Sequence, residues 1–282
     1  VGSDDDDFAN GLQLAADGSA YVYGNTYAAL PGNEYGGGGS RDVFLARLGE
    51  SGSVLWISQL GSAGHESIET VLLDSAGGAV LGGSTNGSLP GADAGNAGSY
   101  DAYVARFSEA GARLWVQQFG TTDREGVTDL AMDSGGAGIV AVGYTLGTLE
   151  GTPASDMEMA FVTKLNATGT RVWTRQFGSG YIASAVGVHV TASGAVLVLG
   201  ENDGQMPGAN IFNDDDIFLS EFSATGEWHS TRQFGSDEAE VIHGFAVGAD
   251  DSLYVVGETD GALVEGEANQ GGEDVFVVKF GL

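Results

Sequence analysis

Two short markers recur in register along this chain, and their recurrence restricts the fold more than any other feature. The run DVFLARL beginning at Asp42 returns as DAYVARF at Asp101, MAFVTKL at Met159, DIFLSEF at Asp216 and DVFVVKF at Asp274. The intervals are 59, 58, 57 and 58 residues. A second marker, QLG at Gln59, returns as QFG at Gln118, Gln176 and Gln233. A fixed period of this length marks a repeat architecture in which each unit is one supersecondary element.

Each unit reads as four short strands, A to D. Strand A leads into the first turn, as in GLQLAAD ending at Asp17; strand B follows it, as in AYVYG from Ala20 and AVLVLG from Ala195. Strand C is the DVFLARL run. Strand D is VLWISQL at Val54, RLWVQQF at Arg113, RVWTRQF at Arg171 and EWHSTRQF at Glu227. These runs are rich in β-branched and aromatic residues and are bounded by Gly, Asn, Asp and Ser, which is strand and turn chemistry. No window of helical length keeps a 3.6-residue period. Repeated four-stranded units are typical of propeller blades. The expected fold is therefore all-β: a β-propeller of five four-stranded blades of about 58 residues, one domain over 1–282, with units near 1–59, 60–118, 119–176, 177–233 and 234–282. VGSDDDDFANGLQLAAD at Val1 aligns without a gap on FGSDEAEVIHGFAVGAD at Phe234, and the last unit stops after strand C without an outer strand. A complete five-bladed ring with an open seam is the expectation; the alternative is a piece of a longer chain that supplies the strand.

GGEDVFVVKF at Gly271, the GxLPG loop seen in STNGSLPG from Ser84, and the LWxxQFG strand together resemble the bacterial β-propeller repeat known as the SBBP repeat, over essentially the whole chain. That resemblance implies an extracellular or cell-surface protein and says little about activity. A second similarity is to the tryptophan-docking motif of quinoprotein propellers, a Gly with Trp four residues later: Gly52/Trp56, Gly111/Trp115 and Gly169/Trp173. The fourth unit departs, with Ser230 at the aligned position and Trp228 two residues earlier. The tryptophans are expected to pack between blades rather than to hold a quinone.

The charge balance sets the class of partner. There are 10 Lys plus Arg against 39 Asp plus Glu, a net charge of -29. Such a field repels nucleic acid and anionic membranes and favours cations and cationic partners. No run of 18 apolar residues is present to span a membrane as a helix. No signal-peptide pattern precedes Val1, so a secreted protein would stand here in mature or excised form. The chain has no Cys, which removes disulfides and thiolate metal sites.

In a propeller the D-to-A and B-to-C connections share one face. Here those connections are long and acidic, and they form the candidate site for a protein or glycan partner. Asp123, Glu125, Asp237, Glu238 and Glu240 are its candidate binding residues. Asp4, Asp5, Asp6, Asp7, Asp214, Asp215 and Asp216 are candidate Ca²⁺ ligands, because a hard ion takes oxygen donors. Two acidic positions recur: Asp7, Glu66, Glu125 and Glu240 five residues after the Gly of the QFG marker, where the fourth unit has Ala183, and Asp42, Asp101, Asp216 and Asp274 at the start of strand C, where the third has Met159. Capping of turn N–H groups is the plainer role for both. Basic residues recur on strand C as Arg47, Arg106, Lys164 and Lys279, with Glu221 in the fourth unit, and structural ion pairing is expected of them.

Catalytic signals are thin. No HExxH or GxSxG occurs. His189 and His243 fall in or beside strand A and are weak ligand candidates. The expected function is a non-catalytic adhesion, assembly or protein-interaction scaffold. The alternative is a lectin-like glycan binder using Tyr27, Tyr35, Tyr100 or Tyr144, which do not share a repeat position; a hydrolase ranks third.

Overall fold

The computed structural model describes residues 2–34, 41–149, 151, 157–209, 215–248, 250, 252–263 and 269–281. Among these described residues nineteen strands form five antiparallel sheets in chain order. The first sheet is β1 (Asp7–Leu14), β2 (Ala20–Thr26), β3 (Asp42–Leu48) and β4 (Val54–Leu60). The second is β5 (Glu66–Leu73), β6 (Ala79–Thr85), β7 (Asp101–Phe107) and β8 (Arg113–Phe119). The third is β9 (Glu125–Met132), β10 (Ile139–Thr145), β11 (Met159–Leu165) and β12 (Arg171–Phe177). The fourth is β13 (Ala183–Val190), β14 (Val196–Asp203), β15 (Asp215–Phe222) and β16 (Trp228–Phe234). The fifth has three strands, β17 (Glu240–Val247), β18 (Leu253–Thr259) and β19 (Asp274–Phe280). Each sheet is an up-and-down meander in which neighbours in sequence are neighbours in space. The fold is all-β and propeller-like.

Repetition extends to irregularities. Strand A of every unit carries a register shift at one equivalent place, after Ala9, Ile68, Val127, Ala185 and Ile242. Such a bulge adds a residue to one strand and increases the local twist.

The core lies between sheets. Strands B and C of one unit present Val43 and Leu45 to Ile68 and Val71 of the next. Val80, Ala102 and Val104 meet Val127 and Leu130 in the same way. Val140, Val142, Ala160 and Val162 meet Ala185 and Val188, and Leu197, Leu199, Ile217 and Leu219 meet Ile242 and Phe245. Burying an aliphatic side chain of this size contributes about 1.5–3 kcal/mol, so each junction is a small hydrophobic core.

Strand D adds a second lock. Gly111 has φ 79°, in the left-handed region, and a β-carbon there would lie 2.6 Å from the Trp56 ring. Only glycine suits both demands. The indole rests on this glycine and donates its Nε1–H to the Glu109 carbonyl at 2.9 Å. Trp115 repeats the contact on Gly169 and the Ala167 carbonyl, and Trp173 on Gly226 and the Ala224 carbonyl. Trp173 is 8% exposed; Trp56 and Trp115 are partly buried. Trp228, out of register, is 47% exposed and donates to Thr231 Oγ1 instead.

The closed five-bladed ring is not what the described residues form. The first and last sheets do not pack on one another. Leu12 and Leu14 on β1 are 61% and 71% exposed, and Val275 and Val277 on β19 are 82% and 69% exposed. Leu12 is the repeat equivalent of buried Val71 and Leu130, and Val275 and Val277 of buried Ile217 and Leu219. The apolar pattern is thus the same in every unit; the outer two faces lack a neighbouring sheet.

Candidate functional site

The D-to-A and B-to-C connections lie side by side, as the alternation of strand direction requires. In each unit a backbone N–H opening the B-to-C loop donates to a carbonyl just before strand A: Tyr27 to Asp6, Asn86 to His65, Leu146 to Arg124, Asp203 to Ile182 and Asp260 to Ala239. The acidic loops therefore share one side of each sheet.

The recurring acids on that side face inward. Glu66, Glu125 and Glu240 are fully buried. Each receives a backbone N–H and a hydroxyl from the residue four positions before it, and a second hydroxyl from the threonine ending strand B. For Glu66 these are Ser62 N at 3.0 Å, Ser62 Oγ at 2.6 Å and Thr85 Oγ1 at 2.6 Å. For Glu125 they are Thr121 N, Thr121 Oγ1 and Thr145 Oγ1 at 2.6, 2.8 and 2.7 Å. For Glu240 they are Ser236 N, Ser236 Oγ and Thr259 Oγ1 at 2.9, 2.7 and 2.6 Å. Asp7 makes a shorter version of the contact with Ser3 and is half-buried.

The strand C acids are held by the glutamine of the QFG marker. Gln59 Nε2 donates to Asp42 at 2.8 Å, Gln118 Nε2 to Asp101 at 2.9 Å and Gln233 Nε2 to Asp216 at 2.6 Å. The same glutamine accepts the N–H of Leu30, Leu89 and Met206, and donates to a carbonyl two residues earlier in the B-to-C loop. Asp42, Asp101 and Asp216 are fully buried.

The two sets meet. A β-carbon on Gly120 would collide with the carboxyls of both Asp101 and Glu125, and one on Gly235 with those of both Asp216 and Glu240. Each pair joins strand C of one unit to strand A of the next, 24 residues on in sequence. Burial pushes Glu66 and Glu125 above the ordinary glutamate value, against the hydrogen bonds they accept, and the charges of Asp42 and Asp101 add to the rise. At the third junction the corresponding glycine, Gly178, lies against Ala183 Cβ and the Met159 side chain. Both acids are absent there together.

The strand C bases are likewise paired. Arg47 meets Asp17 at 2.6 Å and Glu109 of the next unit at 3.1 Å. Arg106 pairs with Asp74, Lys164 with Asp133 and Lys279 with Asp250. In the fourth unit Glu221 replaces the base and Thr191 replaces the aspartate; Glu221 faces His229 at 3.6 Å. His243 lies 3.0 Å from Glu258.

Of the candidate binding residues, Asp123, Asp237 and Glu238 are exposed, whereas Glu125 and Glu240 belong to the buried pairs. Of the calcium candidates, Asp4, Asp5, Asp6 and Asp215 are exposed, Asp7 caps its turn, and Asp216 is buried beside Gln233. Asp214 and Tyr35 lie outside the described residues. Among the described residues no group of three or more His, Cys, Asp or Glu stands ready to hold an ion, and no helix is long and apolar enough to cross a membrane. Tyr27 lies edge-on to Phe8, and Tyr100 lies under Arg124.

Asp129 and Glu201 are internal acids that the sequence reading does not single out, and Glu201 accepts the Ile242 N–H of the next sheet. Asp129, on β9, accepts the Val188 N–H of the next sheet at 2.9 Å, and burial raises its pKa. Its signal in the sequence is a charge at a position held elsewhere by Gly11, Thr70, Gly187 and Gly244.

No family model matches this chain, and no curated protein matches it in sequence. Among solved structures it is similar to a protein of unknown function from Bacteroides caccae at TM-score 0.45 and 11% identity, covering 80% of this chain and 68% of that one. It is similar to a puromycin hydrolase mutant complexed with PGG at TM-score 0.42 and 14% identity, covering 89% of this chain and 33% of that one. It is also similar to the GH43 endo-arabinanase from Bacillus licheniformis at TM-score 0.40 and 10% identity, covering 95% and 91%. The chain thus spans a third of the hydrolase's length.

Proposed function

We propose that this protein is a non-catalytic interaction scaffold, acting at the cell surface or outside it in adhesion or assembly, as its resemblance to the SBBP repeat implies. One observation carries the reading: Asp42, Asp101, Asp216, Glu66, Glu125 and Glu240 are consumed inside the fold, so the acids left to meet a partner are the exposed ones of the loops. Asp4, Asp5, Asp6, Asp123, Asp215, Asp237 and Glu238 are exposed acids on or beside the D-to-A and B-to-C connections. An acidic surface of this kind suits a basic protein partner, because complementary potential steers encounter and fixes register. A buried carboxylate already holding three donors has little capacity left for substrate, which disfavours a hydrolase reading of the repeated pairs.

The test uses an oligo-lysine peptide as probe. Binding should weaken with salt, and more so in the Asp123→Asn/Asp237→Asn/Glu238→Gln variant. Binding unchanged by that variant, retention on a glycan array, or turnover of glycoside, peptide or ester substrates would overturn the proposal.

A further inference from the structure

The junction between the third and fourth sheets is apolar on its surface as well as inside. Tyr181 and Ile182, in the connection from β12 to β13, are 57% and 52% exposed. Met157, two residues before β11, is exposed as well. The repeat supplies an internal comparison. At the position of Tyr181 the other units have Asp5, Gly64, Asp123 and Glu238, and at that of Ile182 they have Asp6, His65, Arg124 and Ala239. None of these is a large apolar residue, so the turn folds without one. Met159 and Ala183 fill the buried place of the missing acid pair, whereas Tyr181 and Ile182 stay outside it and gain little from folding. Large apolar side chains held together on a surface point to a contact site.

The patch is fixed in shape. The Ile182 carbonyl accepts the Asp203 N–H at 2.8 Å. The Tyr181 N–H donates to Ser179 Oγ, whose hydroxyl donates to the Asp203 carbonyl. The Tyr181 ring lies against Gly204, where a β-carbon would come within 2.8 Å of it. The Ala183 N–H donates to the Glu158 carbonyl at 2.9 Å, which brings the Met157 segment alongside Ile182. Acids edge this patch. The Glu158 carboxyl accepts a hydrogen bond from Ser184, next to Ala183. Asp215 is exposed and pairs in register with Asp203.

This border sets the chemistry of the occupant. A second copy of the chain carries the same net charge of -29 and is repelled, as are nucleic acid and anionic lipid. We infer that Tyr181 and Ile182 receive a large apolar side chain of a separate basic protein, with Lys or Arg on either side of it reaching Glu158, Asp203 and Asp215. The apolar centre supplies affinity, and the acidic rim supplies steering and register. The inference rests on the reading of the acidic face as a docking surface for a basic partner, and assigns the contact to one junction of the five units.

Two peptides are titrated by calorimetry into the whole protein: oligo-lysine, and oligo-lysine with a central Leu-Trp pair. The second should bind the parent protein about tenfold or more tightly than the first, the factor expected for burying an apolar side chain. Tyr181→Gly/Ile182→Ala should abolish that advantage. The variant installs residues that the second and fifth units carry at these positions, and it leaves the net charge unchanged. The comparison of peptides on the parent protein needs no variant, so misfolding cannot imitate it. Equal affinity of the two peptides, or an advantage that survives the variant, overturns the inference while oligo-lysine binding leaves the acidic-face reading in place. Binding of neither peptide overturns both. Self-association of the chain that is lost in the variant also overturns the inference, since a second copy would then occupy the patch.

Discussion

Met159 and Ala183 explain the acids around them. At three junctions an aspartate on strand C and a glutamate on the following strand A sit over one glycine, each supplied with donors. At the remaining junction two apolar side chains fill the same place, and the neighbouring donors are redirected: Ser179 Oγ to the Asp203 carbonyl and Asn202 Nδ2 to the Gly204 carbonyl. The pairs are thus exchangeable as units and not as single residues. Glu125→Ala strands the Thr121 N–H and two hydroxyls, and should cost about 1–3 kcal/mol for each group left buried without a partner. Asp101→Met with Glu125→Ala should cost less than the sum of the single changes, because removal of one carboxyl relieves the desolvation and repulsion of the other. Equilibrium urea unfolding of the four proteins of this cycle checks it; strict additivity would refute the coupling.

At the scale of elements, strand D ties each sheet to the next through its tryptophan. Trp173 lies against Gly226 and is nearly fully buried, so Trp173→Ala should destabilise by about 3–5 kcal/mol. Trp228 has lost the register, and Trp228→Ala should fall within about 0.5 kcal/mol of the parent, as expected for an exposed position. Gly169→Ala combines a left-handed φ of 85° with a β-carbon driven into the Trp115 ring, and should be destabilising although it deletes nothing. Thermal melts of the three variants separate these cases. Equal costs at Trp173 and Trp228 would show that the glycine contact is incidental.

For the whole molecule, protonation works in two directions. Burial holds Glu66, Glu125, Glu158, Glu201 and Asp129 above their ordinary values. Through that window the folded state binds more protons than the unfolded chain, so stability falls as pH rises. Asp74 and Asp133 go the other way. Against burial, the donors Arg106 and Gly78 N–H lower Asp74, and Ala137 N–H, Gly138 N–H and Lys164 lower Asp133. Their contribution is lost as pH falls below the ordinary aspartate value of 3.8. The melting temperature should therefore rise from pH 7 toward 4.5, the ordinary glutamate value, and drop on further acidification. Self-repulsion at a net charge of -29 acts in the same sense. A melting temperature that falls steadily from pH 7 downward would contradict this balance. The exposed acids make a separate prediction. At matched ionic strength NaCl, Mg²⁺ and Ca²⁺ should stabilise alike where the loops are solvated charge, and a selective rise with Ca²⁺ would assign an ion to the Asp4–Asp6 or Asp215 segments.

The repeat period, four strands to a unit and the places of the turns are legible in the sequence, because strand pairing within a unit is local and a two-residue alternation with Gly and Asp turns suffices to specify it. The pairing of strand C bases with nearby acids was anticipated as a class. The carboxyl pairs were also signalled, since Met159 and Ala183 break two separate patterns at the same 24-residue offset as the intact pairs. What the sequence could not show is that those two positions meet. Contact between them depends on how one sheet is laid against the next, a long-range arrangement that no local pattern encodes. The same holds for closure. Leu12 and Val277 carry the alternation of buried positions, yet whether each is covered depends on the accumulated twist and packing of five sheets, which only the tertiary structure decides.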